Sequence, residues 1–383
     1  MEKLVNILKE FQNWNPEIVE KMKNCSHHFD YDNLNPYHIE NDVWTHTMLM
    51  YNDFIKIIKD EIGKVNNEKF IYEIAIAILC HDIGKVYTRS VPNGAFGKIA
   101  MYNHPFASVQ PAIDFIYHLS RVISPTDIIM THGLRTYNIL NIISNHMDYF
   151  ESHDMRRSNM NYILYLSGML LNMLDKRNSI DSNCRFMEHN SNEIAEVISE
   201  IDSYENKSEN NMALSDADIT IFCGCPGSGK DYIASEWSSK YHKILSYDDI
   251  RLEFARNNLK EIFSTEAELY KAAYEYCNKE KIDLNEILKE KTDEYINNGY
   301  KVFICNTNLS RKSRRSLVNL FNKYTINFVY VISDSNILMM RNMNRSSKNL
   351  DKLVMNKFMY NQQVPCQYDF KKNNINDIIL VHN

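Results

Sequence analysis

Gly224-Cys225-Pro226-Gly227-Ser228-Gly229-Lys230 constrains the fold of this chain more than any other stretch. It fits G-x-x-x-x-G-K, a loop whose backbone N–H groups wrap nucleotide phosphates while its Lys reaches the β/γ-phosphates. Such a loop works only between a strand and a helix. The sequence supplies both: the apolar run Ile219-Thr220-Ile221-Phe222-Cys223 before it and a helical pattern from Tyr232 to Lys240 after it. Further short apolar runs follow, separated by helical patterns: Lys243–Ser246, Tyr300–Cys305, Asn327–Ser333 and Ile378–Val381. Strands alternating with helices imply a parallel sheet covered on both faces. Asp231 stands where Ser or Thr normally holds Mg²⁺.

The first half has another character. Up to about residue 190, glycine is scarce and apolar residues recur at helical spacing over Trp44–Ile58, Phe70–Cys80, Ile139–Phe150 and Tyr162–Leu174. The chain then turns polar, with a short helical pattern over Ile194–Ile201 inside the polar region. At 383 residues two domains are expected. They are an all-α domain over 1–190, a linker over 191–215 and an α/β domain over 216–383. No apolar run reaches the ~18–20 residues a membrane span needs, so no membrane partner is expected. Met1-Glu2-Lys3-Leu4 lacks a signal-peptide pattern, and the eight cysteines form no C-x-x-C pair. They read as reduced thiols of a cytoplasmic protein. A net charge of −6 argues against a general nucleic-acid coat, so a polynucleotide substrate would need a local basic patch. Homodimer formation is left open.

A metal site needs nitrogen and oxygen ligands converging from different helices. Candidates are His46, His81, Asp82, His104, His146 and Asp175. Imidazole with carboxylate suits Mn, Fe, Co, Ni or Zn. One or two such ions would polarise a phosphoryl oxygen and lower the pKa of a bound water. The stretches Val43-Trp44-Thr45-His46-Thr47, His81-Asp82-Ile83-Gly84-Lys85, Asn103-His104-Pro105, Ile142-Ile143-Ser144-Asn145-His146 and Leu174-Asp175-Lys176-Arg177 resemble the HD-domain phosphohydrolase family. The resemblance covers about residues 38–185. It implies that His46, His81, Asp82 and Asp175 bind one metal and that His104 and His146 add a second. His132 competes with His146 for that role, and His146 is preferred because it ends an amphipathic helix upstream of Asp175. Lys85 is a candidate contact for the substrate phosphate. His27, His28, His118, His153 and His189 match nothing and read as surface residues.

In the second half, Asp248, in Ser246-Tyr247-Asp248-Asp249-Ile250-Arg251, could take a proton from an attacking hydroxyl, and Arg251 one turn on could hold a phosphate. Asn306-Thr307-Asn308-Leu309 precedes the basic run Arg311-Lys312-Ser313-Arg314-Arg315, which reads as a solvated helix face. Arg341 and Arg345, four apart, could close over a triphosphate from one helical face. The segment Phe358–Phe370 reads as packing against the sheet. Over about residues 217–365 the set resembles the phage-type polynucleotide 5′-kinase. The resemblance implies that Gly224, Cys225, Pro226, Gly227, Ser228, Gly229, Lys230 and Asp231 cradle ATP, or another NTP, with Mg²⁺. It makes Asp248 the general base, Arg251 and Asn306 substrate contacts, and Arg341 and Arg345 part of an ATP lid. Asn306 stands where Asp is common in that family.

Together the two resemblances imply an end-healing enzyme. One half phosphorylates 5′-hydroxyl ends of RNA or DNA with NTP. The other removes a 3′-terminal or 2′,3′-cyclic phosphate, giving ends for a ligase. RNA is the sharper expectation. The competing readings are an HD nucleotide phosphohydrolase fused to a small-molecule kinase, and a phosphatase regulated by nucleotide at an inactive loop.

Overall fold

The computed structural model describes residues 1–29, 38, 40–61, 69–91, 99–122, 133–147, 162–179, 191–205, 214–259, 263–345, 348–370 and 374–383. These form two compact units: Met1–Asn211 with Tyr360–Val364, and Met212–Met359 with Pro365–Asn383. The first is helical and the second is α/β, as the two periodicities require.

The first unit contains α1 (Glu2–Trp14), α2 (Pro16–Lys23), α3 (Val43–Glu61), α4 (Lys69–Cys80), α5 (Lys85–Thr88), α6 (His104–Ala107), α7 (Val109–Val122), α8 (Gly133–Asn145), α9 (Tyr162–Asn178) and α10 (Ser191–Glu205). Helix α4 is apolar on nearly every side, so it can only be central. It is buried from Phe70 to Cys80 and meets α1, α3, α7, α8 and α9. Each such Ile, Leu or Phe side chain contributes about 1.5–3 kcal/mol by burial. Phe11 of α1 packs edge-on to Phe115 of α7, with centroids 5.0 Å apart. The Tyr51 hydroxyl donates to the Leu4 carbonyl at 2.7 Å, tying α3 to α1.

Most of the stretch assigned to a linker is helix. In α10, Ile194, Val197, Ile198 and Ile201 are buried, and the helix packs on α9 and α3. The polar residues after it, 206–213, lie outside the described residues. Tyr360–Val364 belongs to the first unit, where the Tyr360 ring stacks 4.3 Å from Tyr87 and the Val364 N–H donates to Ser144 Oγ at 3.2 Å. Of the Phe358–Phe370 segment, therefore, only the end packs on the sheet. There Phe370 stacks on Phe328 at 5.0 Å.

The second unit is built from β1 (Ile219–Cys223), α11 (Lys230–Trp237), β2 (His242–Leu245), α12 (Tyr247–Asn258), α13 (Glu266–Lys279), α14 (Leu284–Asn297), β3 (Lys301–Cys305), α15 (Arg311–Leu320), β4 (Ile326–Ile332), α16 (Ser335–Met343), α17 (Lys352–Met359) and β5 (Ile375–His382). All pairings are parallel, in the order β2-β3-β1-β4-β5. Every residue of β1 and β4 is buried, the pattern expected of strands covered on both faces. Central β1 has β3 on one side and β4 on the other, so its carboxyl end faces the crevice where open α/β sheets bind ligands. Helix α11 stops at Trp237 rather than Lys240, because Ser238 turns to extended backbone.

The basic run on α15 is a solvated face only in part, with Lys312 and Arg315 exposed. Arg314 has no exposure. Its Nη2 meets Asp369 Oδ2 at 2.9 Å and its Nη1 donates to the Asn308 carbonyl at 3.0 Å. Arg311 Nε lies 2.9 Å from the other Asp369 oxygen, and Arg315 donates to the Asp369 carbonyl. One buried carboxylate thus draws Arg311 and Arg314 inward.

Candidate active sites

The first site starts at the end of α4. The His81 N–H closes a last helical bond to Ala77 at 2.8 Å, and the chain then turns through Asp82 and Gly84 into α5. Helix α3 brings His46, α9 brings Asp175, the start of α6 brings His104, and the end of α8 brings His146. All six are buried. His46 Nε2 is 3.0 Å from Asp175 Oδ1. Asp82 Oδ2 is 3.3 Å from His81 Nε2, and Asp82 Oδ1 is 3.3 Å from His104 Nε2 and 3.9 Å from His146 Nε2. Two ligand triplets result, His46/His81/Asp82 and Asp82/His104/His146, each with its donor atoms within 4.8 Å of one another. Asp82 is common to both.

Hydrogen-bond accounting tests whether a cation fits. Carbonyls only accept, so Nδ1 must donate in His81 to Ile78 (2.8 Å), in His104 to Met101 (2.8 Å) and in His146 to Ile143 (2.7 Å). Each ring therefore turns Nε2 inward. The Nε2 atoms of His104 and His146 face each other at 3.1 Å, a gap that closes only with a proton or a cation between two lone pairs. His81 Nε2 is buried without a hydrogen-bond partner. The donors fit a transition metal.

Electrostatics agree with that fit. Burial raises the Asp82 carboxyl, but the His81 and Lys85 charges outweigh it and hold the group well below the carboxylate range. Burial, with the charges of His104 and His81, pushes His146 down to about 3, so its ring is neutral and able to ligate. His46 is the exception: burial lowers its pKa, but bonds to Asp175 and Glu40 win and raise it to about 9, so a metal there must displace the Nε2 proton. Lys85 is buried with Nζ 2.6 Å from Asp82 Oδ2, beside the place of the ions.

Gly84 shows how tightly this turn is built. A Cβ there would lie 2.0 Å from the His104 carbonyl oxygen and 2.7 Å from the Ser108 nitrogen. Ser108 Oγ also accepts from the Gly84 N–H at 2.8 Å and donates to the His81 carbonyl at 2.6 Å. Gly84→Ala is expected to destabilise the first unit by about 1–3 kcal/mol or more and to weaken metal binding, because the backbone that must yield carries His104. Thermal unfolding with and without added Mn²⁺ checks both effects.

The second site is the loop after β1. Gly224 has φ 150°, and a Cβ there would meet the Val331 carbonyl oxygen at 2.3 Å, so the loop can rest against β4 only with glycine. Lys230 Nζ donates to the Gly224 and Cys225 carbonyls at 2.9 Å each. Burial lowers its pKa, partly offset by Asp231. A buried ammonium held only by backbone oxygens, and framed by two arginines, fits an anionic phosphate. The cavity in front is about 480 Å³ and is lined by Gly227, Gly229, Lys230, Asp231, Tyr232, Arg341, Arg345 and Asn383. Arg341 is on α16, but Arg345 lies past its end at Met343, so the two reach one cavity from a helix and a following loop.

Asp248, Arg251 and Asn306 lie outside that lining. Ser246 caps α12, accepting from the Asp249 N–H at 3.1 Å, which leaves Asp248 for other partners. Arg251 Nη1 sits 3.0 Å from Asp248 Oδ1, and Lys348 Nζ sits 3.0 Å from Oδ2. Lys348 also lies 4.3 Å from the Tyr270 ring centroid, and Arg251 lies 5.4 Å from that of Tyr274. Asn306 Oδ1 accepts from the Tyr247 N–H at 2.9 Å, joining the end of β3 to the start of α12.

His27 and His28 are buried, not surface residues as expected. His27 stacks on His38 at 4.3 Å and lies beside His46. His118 is half-buried and pairs with Glu10 at 3.0 Å. His132, His153 and His189 lie outside the described residues, as does the end of the helical pattern at Phe150. Sequence reasoning missed His38, Glu40 and Lys348. Lys348 finds Asp248 100 positions away, and the short steps from His38 to Glu40 and from Glu40 to His46 match no spacing motif. The seven cysteines among the described residues are free and buried. None of the described helices is long and apolar enough to cross a membrane. No curated protein matches the chain. Residues 219–365 match the family model of the AAA domain, so this span carries a P-loop, kinase-like domain on a parallel sheet.

Proposed function

We propose that the chain is a nucleic-acid end-healing enzyme with two active sites, acting on RNA ends ahead of a ligase in the cytoplasm. The carrying observation is the pair of buried ligand triplets sharing Asp82, in one chain with a kinase-like nucleotide loop. In the second unit, Lys230, Arg341 and Arg345 would hold the NTP phosphates, and Asp231, in the same cavity lining, would supply a carboxylate to the accompanying Mg²⁺. Asp248 accepts the proton of the 5′-hydroxyl, and Arg251 with Lys348 supplies the local positive charge a strand end needs. Transfer then rests on positioning and charge neutralisation. In the first unit, His46, His81, Asp82, Asp175, His104 and His146 hold one or two transition metals. Such ions would supply polarisation of the 3′-terminal or 2′,3′-cyclic phosphate and a more acidic bound water. Lys85 sits ready to exchange Asp82 for a phosphate oxygen.

A second reading, an HD nucleotide phosphohydrolase joined to a small-molecule kinase, draws support from the α15 arginines, which Asp369 withdraws from any strand. The deciding experiment gives the protein a short RNA with a labelled 5′-hydroxyl and a 2′,3′-cyclic phosphate, with ATP, Mg²⁺ and Mn²⁺. Both ends should be healed. Lys230→Ala is expected to lower 5′ transfer by about 10²–10³-fold or more while 3′ processing continues. A strong preference for a mononucleoside over the RNA would sink the end-healing reading.

A further inference from the structure

Three of the four histidines at the metal pocket have their outer nitrogen held by the backbone. His81, His104 and His146 each donate Nδ1–H to the carbonyl three residues earlier. His46 is different. The Val43 carbonyl three residues before it accepts instead from the Thr47 hydroxyl at 2.8 Å. His46 Nδ1 lies 2.9 Å from Glu40 Oε1, close enough to pair though bent away from full hydrogen-bond geometry, and Glu40 is itself buried. The same oxygen is 2.7 Å from His38 Nδ1. Asp175 and Glu40 therefore flank one imidazole on opposite nitrogens, and their surroundings say which faces the ions. Asp175 meets the ring at Nε2, the side on which His46 joins His81 and Asp82, whereas Glu40 groups with His27 and His38 on the other side. Glu40 stands behind the ring.

We propose that Glu40 is the positioning residue for His46. It fixes the tautomer with the proton on Nδ1, aims Nε2 at the metal, and is itself steadied by His38. Such partners of metal-bound histidines typically contribute 10–100-fold in metal affinity. The other three braces are backbone carbonyls that no side-chain substitution removes, so Glu40 is the one brace that mutation can delete. The inference rests on reading His46, His81, Asp82 and Asp175 as metal ligands.

The neighbouring trio His27, His38 and Glu40 could itself be taken for an ion site, since its donor atoms lie within 4.8 Å of one another. Two features argue against a cation there. Glu40 Oε1 already has the Nδ1 atoms of His38 and His46 at 2.7 and 2.9 Å. Lys85 Nζ lies 3.3 Å from His27 Nε2, and an ammonium only donates, so that nitrogen is an acceptor and the His27 proton sits on Nδ1.

The test titrates the full-length, metal-stripped protein with Co²⁺, following its visible absorption, which reports ligand geometry. Glu40→Ala is expected to weaken Co²⁺ binding by about 10–100-fold and to alter the spectrum. Glu40→Gln, whose amide oxygen still accepts from Nδ1–H, should recover most of both. Rescue by Gln separates aiming from a general loss of fold, and it remains readable if the Ala variant folds poorly. His27→Ala should leave the number of bound ions as in the wild type. Wild-type affinity and spectrum in Glu40→Ala would overturn the inference, and so would the loss of one ion in His27→Ala, which would make the trio a metal site. A wild-type protein that binds no Co²⁺ would instead remove the metal-pocket reading beneath it.

Discussion

Asp82→Ala is expected to empty both metal positions and to abolish 3′-phosphate removal, a loss of at least about 10³-fold, while 5′ transfer persists. No other single ligand should do this, because only Asp82 belongs to both triplets. Its oxygens are divided, Oδ2 toward His81 and Lys85 and Oδ1 toward His104 and His146. Removing one would leave each ion short of an anionic ligand. It would also leave the buried Lys85 ammonium without its partner, so the metal-free variant should lose about 3–5 kcal/mol of stability. His104→Ala should be milder, removing the second ion and sparing the first. Metal content after dialysis against Mn²⁺, together with 3′-end turnover, decides the matter. Wild-type metal content in Asp82→Ala would refute the shared-ligand geometry.

The second large effect concerns the fold of the α/β unit. Arg314 and Asp369 are both fully buried, and neither is among the residues lining the cavity. Asp369→Ala would strand Arg314 and Arg311 against the sheet, at a cost of about 3–5 kcal/mol. Asp369→Asn, which keeps the shape and an acceptor, should cost less. Because the chain has two units, a single unfolding midpoint is not the right measure. Hydrogen exchange along β4 is, since Phe370, next to Asp369, stacks on Phe328 of that strand. Unchanged β4 protection in Asp369→Ala would show that the pair contributes nothing to the sheet.

The parts of this molecule that could be read in advance are those with a local physical signal. The five strands lie within a few residues of where apolar runs place them; β1 and β4, covered on both faces, must be apolar throughout, while the edge strands β2 and β5 are partly exposed. The nucleotide loop is legible because glycine alone tolerates its approach to Val331. The His81-Asp82 doublet is legible because adjacent ligands at the end of a buried helix need no long-range information. The basic run Arg311–Arg315 misleads for the converse reason. Its sequence is that of a solvated face, and only Asp369, 55 residues beyond Arg314, turns Arg311 and Arg314 inward. Lys348 reaches Asp248 across 100 positions in the same way.

By itself, then, the sequence determined two units of different class, the phosphate loop and the set of metal-ligand candidates. All follow from periodicity, glycine geometry and ligand chemistry within a few turns of chain. Tertiary structure alone decided which charges are spent on one another. Glu40 stands behind His46, His27 is buried, Lys85 is paired with Asp82, and the α15 arginines are bound to Asp369. Pairing energy depends on distance and burial, and neither is a property of spacing along the chain.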